Sequence, residues 1–314
     1  MKINISKSTW LFLALAFGIA WLTALFIFLT GGLANSPEII PGSGVTLALA
    51  LLATIYMAAP AMAHIITRVI NRTGWKNLNL RPNFKIGWLY LLAGYFLPAL
   101  FTILGAVIFF FLFSRNFDPA LTFLTQQLDA SGINPGTVNP WGMIALQVLS
   151  SALIAPLLNI LATFGEEFGW RSFLLPRLTE QLGIRRGLIA TNILWGVWHW
   201  PVILMGHNYG FDYFGYPWTG LLMTLWFTLS VGIFFSWLSI KGKSVWPAVL
   251  AHGALNGIAS LGLFFTAGKV PVLLGPTPVG LIGMLPFTLV SLLILAKIKP
   301  DAPQHEKDAQ LSAG

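Results

Sequence analysis

A small set of polar side chains lies within apolar stretches of this 314-residue chain and could do chemistry together. Glu166 and Glu167 close one stretch, His199 lies in a second, and His252 with Asn256 lies in a third. A carboxylate and an imidazole can activate a water molecule by taking its proton. A ring N–H and a side-chain amide can donate hydrogen bonds to a developing oxyanion. These residue types are therefore suited to hydrolysis by an activated water.

Helical spacing divides the two carboxylates between different tasks. Residues four apart share one face of a helix, so His252 and Asn256 point the same way and Glu167 faces Arg171. Adjacent residues are rotated by about 100°, so Glu166 and Glu167 cannot face the same partner. We interpret Glu166 as the general base, and Glu167 with Arg171 as an ion pair that sets the rotation of the helix.

The elements that must position these residues are membrane helices. Hydrophobic residues make up 56% of the chain and charged residues 9%, which is too little polar surface for a soluble globule of this size. Ionisable residues at membrane depth are costly and usually face a cavity or the interior of the helix bundle. The sequence predicts an all-α, polytopic membrane protein with about eight transmembrane helices, near residues 9–29, 46–68, 87–113, 142–166, 188–206, 219–240, 246–266 and 277–296.

Charge and cysteine content narrow the class further. We expect one multi-pass membrane domain over 1–300, with the chemical residues within 142–260, and a disordered polar tail over 301–314. Basic residues concentrate in 68–85 and 171–186 and near both ends, which all fall on one side if the spans alternate. This positive-inside pattern predicts cytoplasmic termini, in the plasma or cytoplasmic membrane if the cell is bacterial, and accounts for the net charge of +8 without a nucleic-acid partner. The absence of cysteine excludes disulfides and thiolate metal sites.

Three short motifs resemble those of one protease family. The segment EEFGWR, residues 166–171, fits the EExxxR motif of the CPBP (Abi) intramembrane proteases, which include the type II CAAX-prenyl endopeptidases and bacteriocin-immunity relatives. WGVWH, residues 195–199, is similar to the family's aromatic-xxxH motif, and residues 244–256 contain its HxxxN motif. Each motif alone is weak, but all three occur in the family's order. Trp195 stands where the family often has Phe, and we expect it to form a wall of the site.

The resemblance implies a CAAX-protease-like intramembrane endopeptidase that cleaves a membrane-associated protein or peptide with a Glu/His-activated water. It assigns catalysis to Glu166, His199, His252 and Asn256, with Glu167 and Arg171 supporting them. Two mechanisms remain open at this point. Glu166, His199 and His252 could hold one divalent metal such as Zn²⁺, or the same residues could act without a metal. The HExxH motif of the zincins is absent.

Other interpretations of the same residues also remain open. A non-catalytic membrane binding or immunity factor could retain this fold, and a proton-coupled secondary transporter would also place Glu and His in the bilayer. His64 has no evident partner and is interpreted as structural. Asn159 and Thr163 precede Glu167 at four-residue steps, which favours hydrogen bonds between helices. Asn192, seven residues before His199, could belong to either packing or chemistry.

Overall fold

The computed structural model describes residues 5–298, and the regular elements within that range are helices. The predicted tail over 301–314 lies outside the described residues. Wider, π-helical turns occupy Leu52–Tyr56 and Trp170–Leu174. The α-helices are α1 (Lys7–Leu29), α2 (Leu47–Leu51), α3 (Met57–Asn71), α4 (Phe84–Leu112), α5 (Thr122–Ala130), α6 (Pro140–Leu153), α7 (Ala155–Leu158), α8 (Ile160–Gly169), α9 (Leu175–Leu182), α10 (Ile184–Trp198), α11 (Trp200–Leu204), α12 (Trp218–Gly242), α13 (Trp246–Ile258) and α14 (Leu285–Lys297).

The described residues form an all-helical structure with fewer long apolar spans than the sequence predicts. Helices long and apolar enough to cross a bilayer need about 20 residues. One of these spans joins α2 to α3 through a π-helical turn, and another extends α13 by a short 3₁₀ segment. The five stretches that meet this requirement are Lys7–Leu29, Leu47–Asn71, Phe84–Leu112, Trp218–Gly242 and Trp246–Phe265.

The prediction of about eight continuous spans is not confirmed, because the remaining three are interrupted or short. The predicted span 142–166 is divided among α6, α7 and α8, with Pro156 at the start of α7. The span 188–206 is divided between α10 and α11, where Pro201 begins the second helix. Proline lacks an N–H and its ring clashes with the preceding turn, which interrupts a helix. The span 277–296 becomes helical only at α14, which begins with Leu285.

Helix α8 lies between α3 and α13 and brings the two carboxylates into the core. Gly165 and Gly169 lie one turn apart on the face of α8 that meets α3. A Cβ atom at Gly165 would lie 2.7 Å from the carbonyl oxygen of Met57, and one at Gly169 would lie 2.3 Å from the Pro60 Cβ. Small residues allow such close helix packing in membranes. Glu166 and Glu167 lie between these glycines in the sequence, so the contact with α3 fixes the backbone position from which both side chains extend.

Aromatic side chains fill the core around α8. Helix α10 packs on α12 and on α9, and α13 packs on α4, so the motif-bearing helices share one interior. A large buried aromatic side chain removes much apolar surface from solvent and restricts the groups around it. The fully buried aromatic residues nearest the motifs are Trp170, Phe173, Trp195, Trp198, Phe234 and Phe235.

Candidate active site

Glu167 and Arg171 form a buried ion pair at the end of α8. Both are enclosed, with Glu167 0% and Arg171 1% exposed. Arg171 Nη1 donates to Glu167 Oε1 over 3.1 Å, while Nε lies 3.0 Å from Oε2 at an angle unsuited to a hydrogen bond. Arg171 belongs to the π-helical turn that continues α8. Such turns are rare and occur frequently at functional sites.

Helix α10 holds the far side of the Arg171 guanidinium. Arg171 Nη2 donates to Asn192 Oδ1 over 3.2 Å, and its guanidinium carbon lies 4.4 Å from the centre of the Trp195 ring. The amide group of Asn192 is itself held, because Nδ2 donates to the Leu188 carbonyl over 2.9 Å. Asn192 thus anchors Arg171 within the core. The sequence had left its role open.

The same carboxylate that pairs with Arg171 also binds His252 on α13. His252 Nδ1 lies 2.9 Å from Glu167 Oε1. A carboxylate beside an arginine accepts hydrogen bonds, so His252 Nδ1 carries the proton and donates it to Glu167. The second ring nitrogen, Nε2, is left for another partner. The sequence pairs Glu167 with Arg171 by their spacing, but it contains no signal for a contact between residues 85 positions apart.

Glu166 is held through one oxygen by the indole of Trp195. Glu166 is 3% exposed, and the Trp195 Nε1–H donates to its Oε2 over 2.7 Å. The sequence predicts a wall residue at Trp195. The overlooked signal was the residue type itself, because Trp has a ring N–H that Phe lacks. Glu166 Oε1 receives no hydrogen bond from the residues at 5–298, which leaves it available for a water molecule.

His199 lies at the junction of α10 and α11, partly exposed. Its Nδ1 lies 2.8 Å from the carbonyl oxygen of Trp195. A carbonyl only accepts, so Nδ1 is the protonated nitrogen, and in the neutral ring Nε2 presents a lone pair. Rings of Trp195 and Trp198 meet its ring edge to face, with centroids 5.5 Å and 4.8 Å away.

Trp195 is the common neighbour of four predicted site residues. Its indole bonds Glu166 and lies beneath Arg171, and it has the rings of His199 at 5.5 Å and His252 at 5.6 Å. These four residues come from the α8 segment, the α10–α11 junction and α13. The structure therefore brings together residues that the sequence places in three separate stretches.

Asn256 differs from the other predicted residues in being exposed. It lies one helical turn beyond His252 on α13, and the hydrogen bonds described for residues 5–298 do not include its side chain. Its amide is thus accessible to an incoming molecule. Asn256 is brought to the same helix face as His252 by their spacing of four.

Hydrogen bonds between helices support the site from behind. Thr163 Oγ1 donates to the Val249 carbonyl over 3.2 Å, and Asn159 Nδ2 approaches the Gly253 carbonyl at 3.3 Å. These contacts tie α7 and α8 to α13, in agreement with the interpretation of both residues as interhelical donors.

A second supporting group contacts the carboxylate motif from α3. Arg68 Nε donates to His64 Nε2 over 2.7 Å, which leaves the proton on Nδ1, and Nδ1 donates to the Phe168 carbonyl over 2.9 Å. His64 was interpreted as a structural residue without a partner. The spacing of four between His64 and Arg68 was the signal that identifies the pair. Tyr56 makes a similar contact, since its hydroxyl donates to the Trp198 carbonyl over 2.6 Å.

The predicted metal ligands do not form a metal site as arranged. Within residues 5–298, no three His, Cys, Asp or Glu side chains are grouped so that they could hold a metal ion. Nδ1 of His199 and of His252 donates to a protein oxygen, and Glu166 Oε2 accepts from Trp195, which leaves Nε2 of each ring and Glu166 Oε1 without a protein partner among the described residues.

Comparison with known proteins relates part of this chain to one protein family. Residues 147–258 match the Rce1-like type II CAAX prenyl endopeptidases. This segment is similar to the Rce1-like family. This Rce1-like segment contains every residue assigned to the site, from Glu166 to Asn256.

A curated relative matches part of the same chain. The similarity to CAAX prenyl protease 2 of Methanococcus maripaludis is 33% identity over 102 residues, or 32% of this chain. The alignment spans 37% of that relative's length, so the two proteins are comparable over about a third of each. The Rce1-like family consists of peptide-bond hydrolases, which implies protease function at the level of the family.

Proposed function

We propose that this chain is an intramembrane endopeptidase that hydrolyses a peptide bond in a membrane-associated protein or peptide. The observation that carries the proposal is the arrangement around Trp195, whose indole donates to a buried carboxylate with one free oxygen and also contacts two imidazole rings. A carboxylate oxygen that receives no hydrogen bond can accept a proton from a water molecule, as a general base does. The match of residues 147–258 to the Rce1-like family supports the same reaction class.

Glu166 and His199 are the residues proposed to hold the attacking water. Glu166 Oε1 and His199 Nε2 both present lone pairs, because their partner atoms are already engaged. A water that donates one proton to each would direct its own lone pair toward the substrate carbonyl carbon. In the first step the water oxygen forms a bond to that carbon as Glu166 takes the proton.

His252 and Asn256 are proposed to stabilise the resulting oxyanion. Glu167 accepts from His252 Nδ1, and in the protonated ring Nε2 donates to the oxyanion. The Asn256 amide supplies a second donor from the same helix face. When the tetrahedral intermediate collapses, the C–N bond breaks and Glu166 returns its proton to the leaving amine.

The substrate is proposed to be a CAAX-like protein C-terminus that reaches the site from the membrane. The matched relative is a CAAX prenyl protease, and a bilayer-embedded site favours a substrate held in the bilayer by its own lipid. We also propose that the side bearing the basic segments 68–85 and 171–186 is cytoplasmic, because of the positive-inside pattern.

Cleavage of a defined peptide by the purified protein tests this function. Full-length protein in liposomes is incubated with a farnesylated CAAX peptide and with the same peptide lacking the lipid, and products are identified by mass spectrometry. We expect cleavage by the wild type and by Glu180→Gln, which alters an exposed carboxylate on α9. Glu166→Gln should abolish cleavage while thermal stability remains close to wild type, because the side chain keeps its size.

Three results would contradict the proposal in different ways. Turnover by Glu166→Gln close to wild type would show that another group is the base. Peptide binding without cleavage, equal in both variants, would favour a binding or immunity factor, while proton flux without cleavage would favour a transporter.

A chelator should leave the rate within about two-fold, since the donor atoms are not arranged for a metal ion. A loss of activity reversed by Zn²⁺ would require a metal-dependent mechanism.

A further inference from the structure

A groove separate from the Trp195 site opens between α12 and α14, at the end of the bundle where α10 begins. Its volume is about 600 Å³, within the range of roughly 300–1,000 Å³ that is common for ligand pockets. Its wall is apolar and comes from one face of each helix. The wall residues are Ile184, Trp237, Ile240, Val290, Leu293 and Ile294.

Positive charge surrounds one end of this α12–α14 groove. Lys241 and Lys297 line it, and both ammonium groups are exposed. Arg185 closes the same end, because its Nε donates to the Ile298 carbonyl over 2.9 Å. The groove lining contains no carboxylate, and neither lysine has an ion-pair partner among residues 5–298.

The long apolar wall determines which anion suits this charge. Leu293 is 58% exposed, so the wall of α14 continues onto the exposed apolar surface of the bundle. A soluble anion would use the lysines and leave the apolar wall unoccupied. An anionic phospholipid has both required parts, an acyl chain for the wall and a phosphate for the ammonium groups. Basic pockets between transmembrane helices are a known means of binding anionic lipid headgroups.

We propose that the α12–α14 groove is a binding site for an anionic phospholipid. Its acyl chain lies against Val290, Leu293 and Trp237, and its phosphate lies between Lys241 and Lys297. Trp237 suits a site beside a phosphate because Trp rings are enriched at the boundary between the hydrocarbon and the headgroups of a membrane. The bound lipid bridges α12 and α14 beside the first turn of α10, the helix that carries Trp195. This proposal does not depend on the proposed protease activity.

Native mass spectrometry of the full chain in detergent tests the proposal. The protein is titrated with phosphatidylglycerol, with phosphatidylcholine of the same acyl chains, and with inorganic phosphate. Lys241→Gln and Lys297→Gln should each weaken phosphatidylglycerol binding about five-fold, which corresponds to about 1 kcal/mol per basic residue, and the double variant about 30-fold. Lys243→Gln is the matched control, because Lys243 is exposed at the end of α12 but does not line the groove.

A variant of the apolar wall separates lipid binding from simple charge attraction. Leu293→Trp fills the groove and keeps both lysines, so it should weaken phosphatidylglycerol binding with little change in melting temperature. Three outcomes would overturn the proposal: equal affinity for the two lipids, an equal loss with Lys243→Gln, or inorganic phosphate binding as tightly as phosphatidylglycerol. Unchanged binding by Leu293→Trp would likewise show that the lipid does not occupy this groove.

Discussion

Replacing Glu167 with Gln should destabilise the protein, because it removes the negative charge to which Arg171 and His252 both donate hydrogen bonds. Arg171 donates to Glu167 from the π-helical turn, and His252 does so from α13. In Glu167→Gln the buried Arg171 guanidinium loses the carboxylate to which it donates a hydrogen bond. Asn192 and the Trp195 ring remain its partners, but neither carries a negative charge.

The expected magnitude follows from the burial of the pair. Removing one member of a fully buried ion pair costs about 3–5 kcal/mol, because the remaining charge is left desolvated. At about 2–4 °C per kcal/mol, the melting temperature should fall by about 6–20 °C. Arg171→Gln should cost a similar amount for the same reason. The double variant should cost less than the sum of the two single variants, since neither charge is then left unpaired.

Thermal unfolding in detergent, followed by tryptophan fluorescence, measures all three variants against the wild type. Glu180→Gln on α9 is the control for loss of an exposed carboxylate. Peptidase rates are measured on the same samples below the lowest melting temperature. A stable Glu167→Gln that has lost all activity would reverse the roles we give to the two glutamates. Strictly additive melting shifts would show that Glu167 and Arg171 do not act as a pair.

Two further predictions follow from contacts in the structure, and a third follows from the proposed topology. Trp195→Phe should slow peptide cleavage about 10- to 100-fold, because the Phe ring cannot donate the hydrogen bond that Glu166 receives from the indole. A hydrogen bond to a charged group is worth about 1.5–3 kcal/mol. An unchanged rate would show that this hydrogen bond is dispensable. Gly165→Ala should destabilise the α3–α8 contact by about 1–3 kcal/mol in thermal unfolding, whereas Gly18→Ala, with no atom within 4 Å of the added methyl, should not. A protease site inserted in 118–140 should be cleaved from outside intact cells, and cleavage only after lysis would invert the proposed topology.

The sequence predicts the residue types of the site better than their contacts. Helical spacing anticipates the Glu167–Arg171 contact, because both residues belong to one continuous helical stretch. The bonds from Trp195 to Glu166 and from His252 to Glu167 join separate helices, and no local pattern encodes them. The roles of Asn256 and of the free imidazole nitrogens remain predictions.

The fold shows the same division between local and long-range information. Hydropathy identifies apolar stretches that form helices, and five of them are long and apolar enough to cross a bilayer. It overestimates the continuous spans because hydropathy averages over a window, whereas one proline interrupts a helix at a single position. Pro156 and Pro201 are each surrounded by apolar residues in the sequence, so they leave the mean hydropathy of the window almost unchanged.

Two of the three segments that carry the candidate site residues are interrupted helices, and this has a physical reason. An unbroken helix presents its side chains along a stripe, while the site needs groups from several directions around one indole. The π-helical turn after α8 lets Arg171 remain beside Glu167 as the chain turns into α9. The junction between α10 and α11 places His199 next to the indole of its own helix. These two departures from regular helix geometry therefore lie where polar side chains from different helices meet, and Trp195 is the residue that these side chains contact.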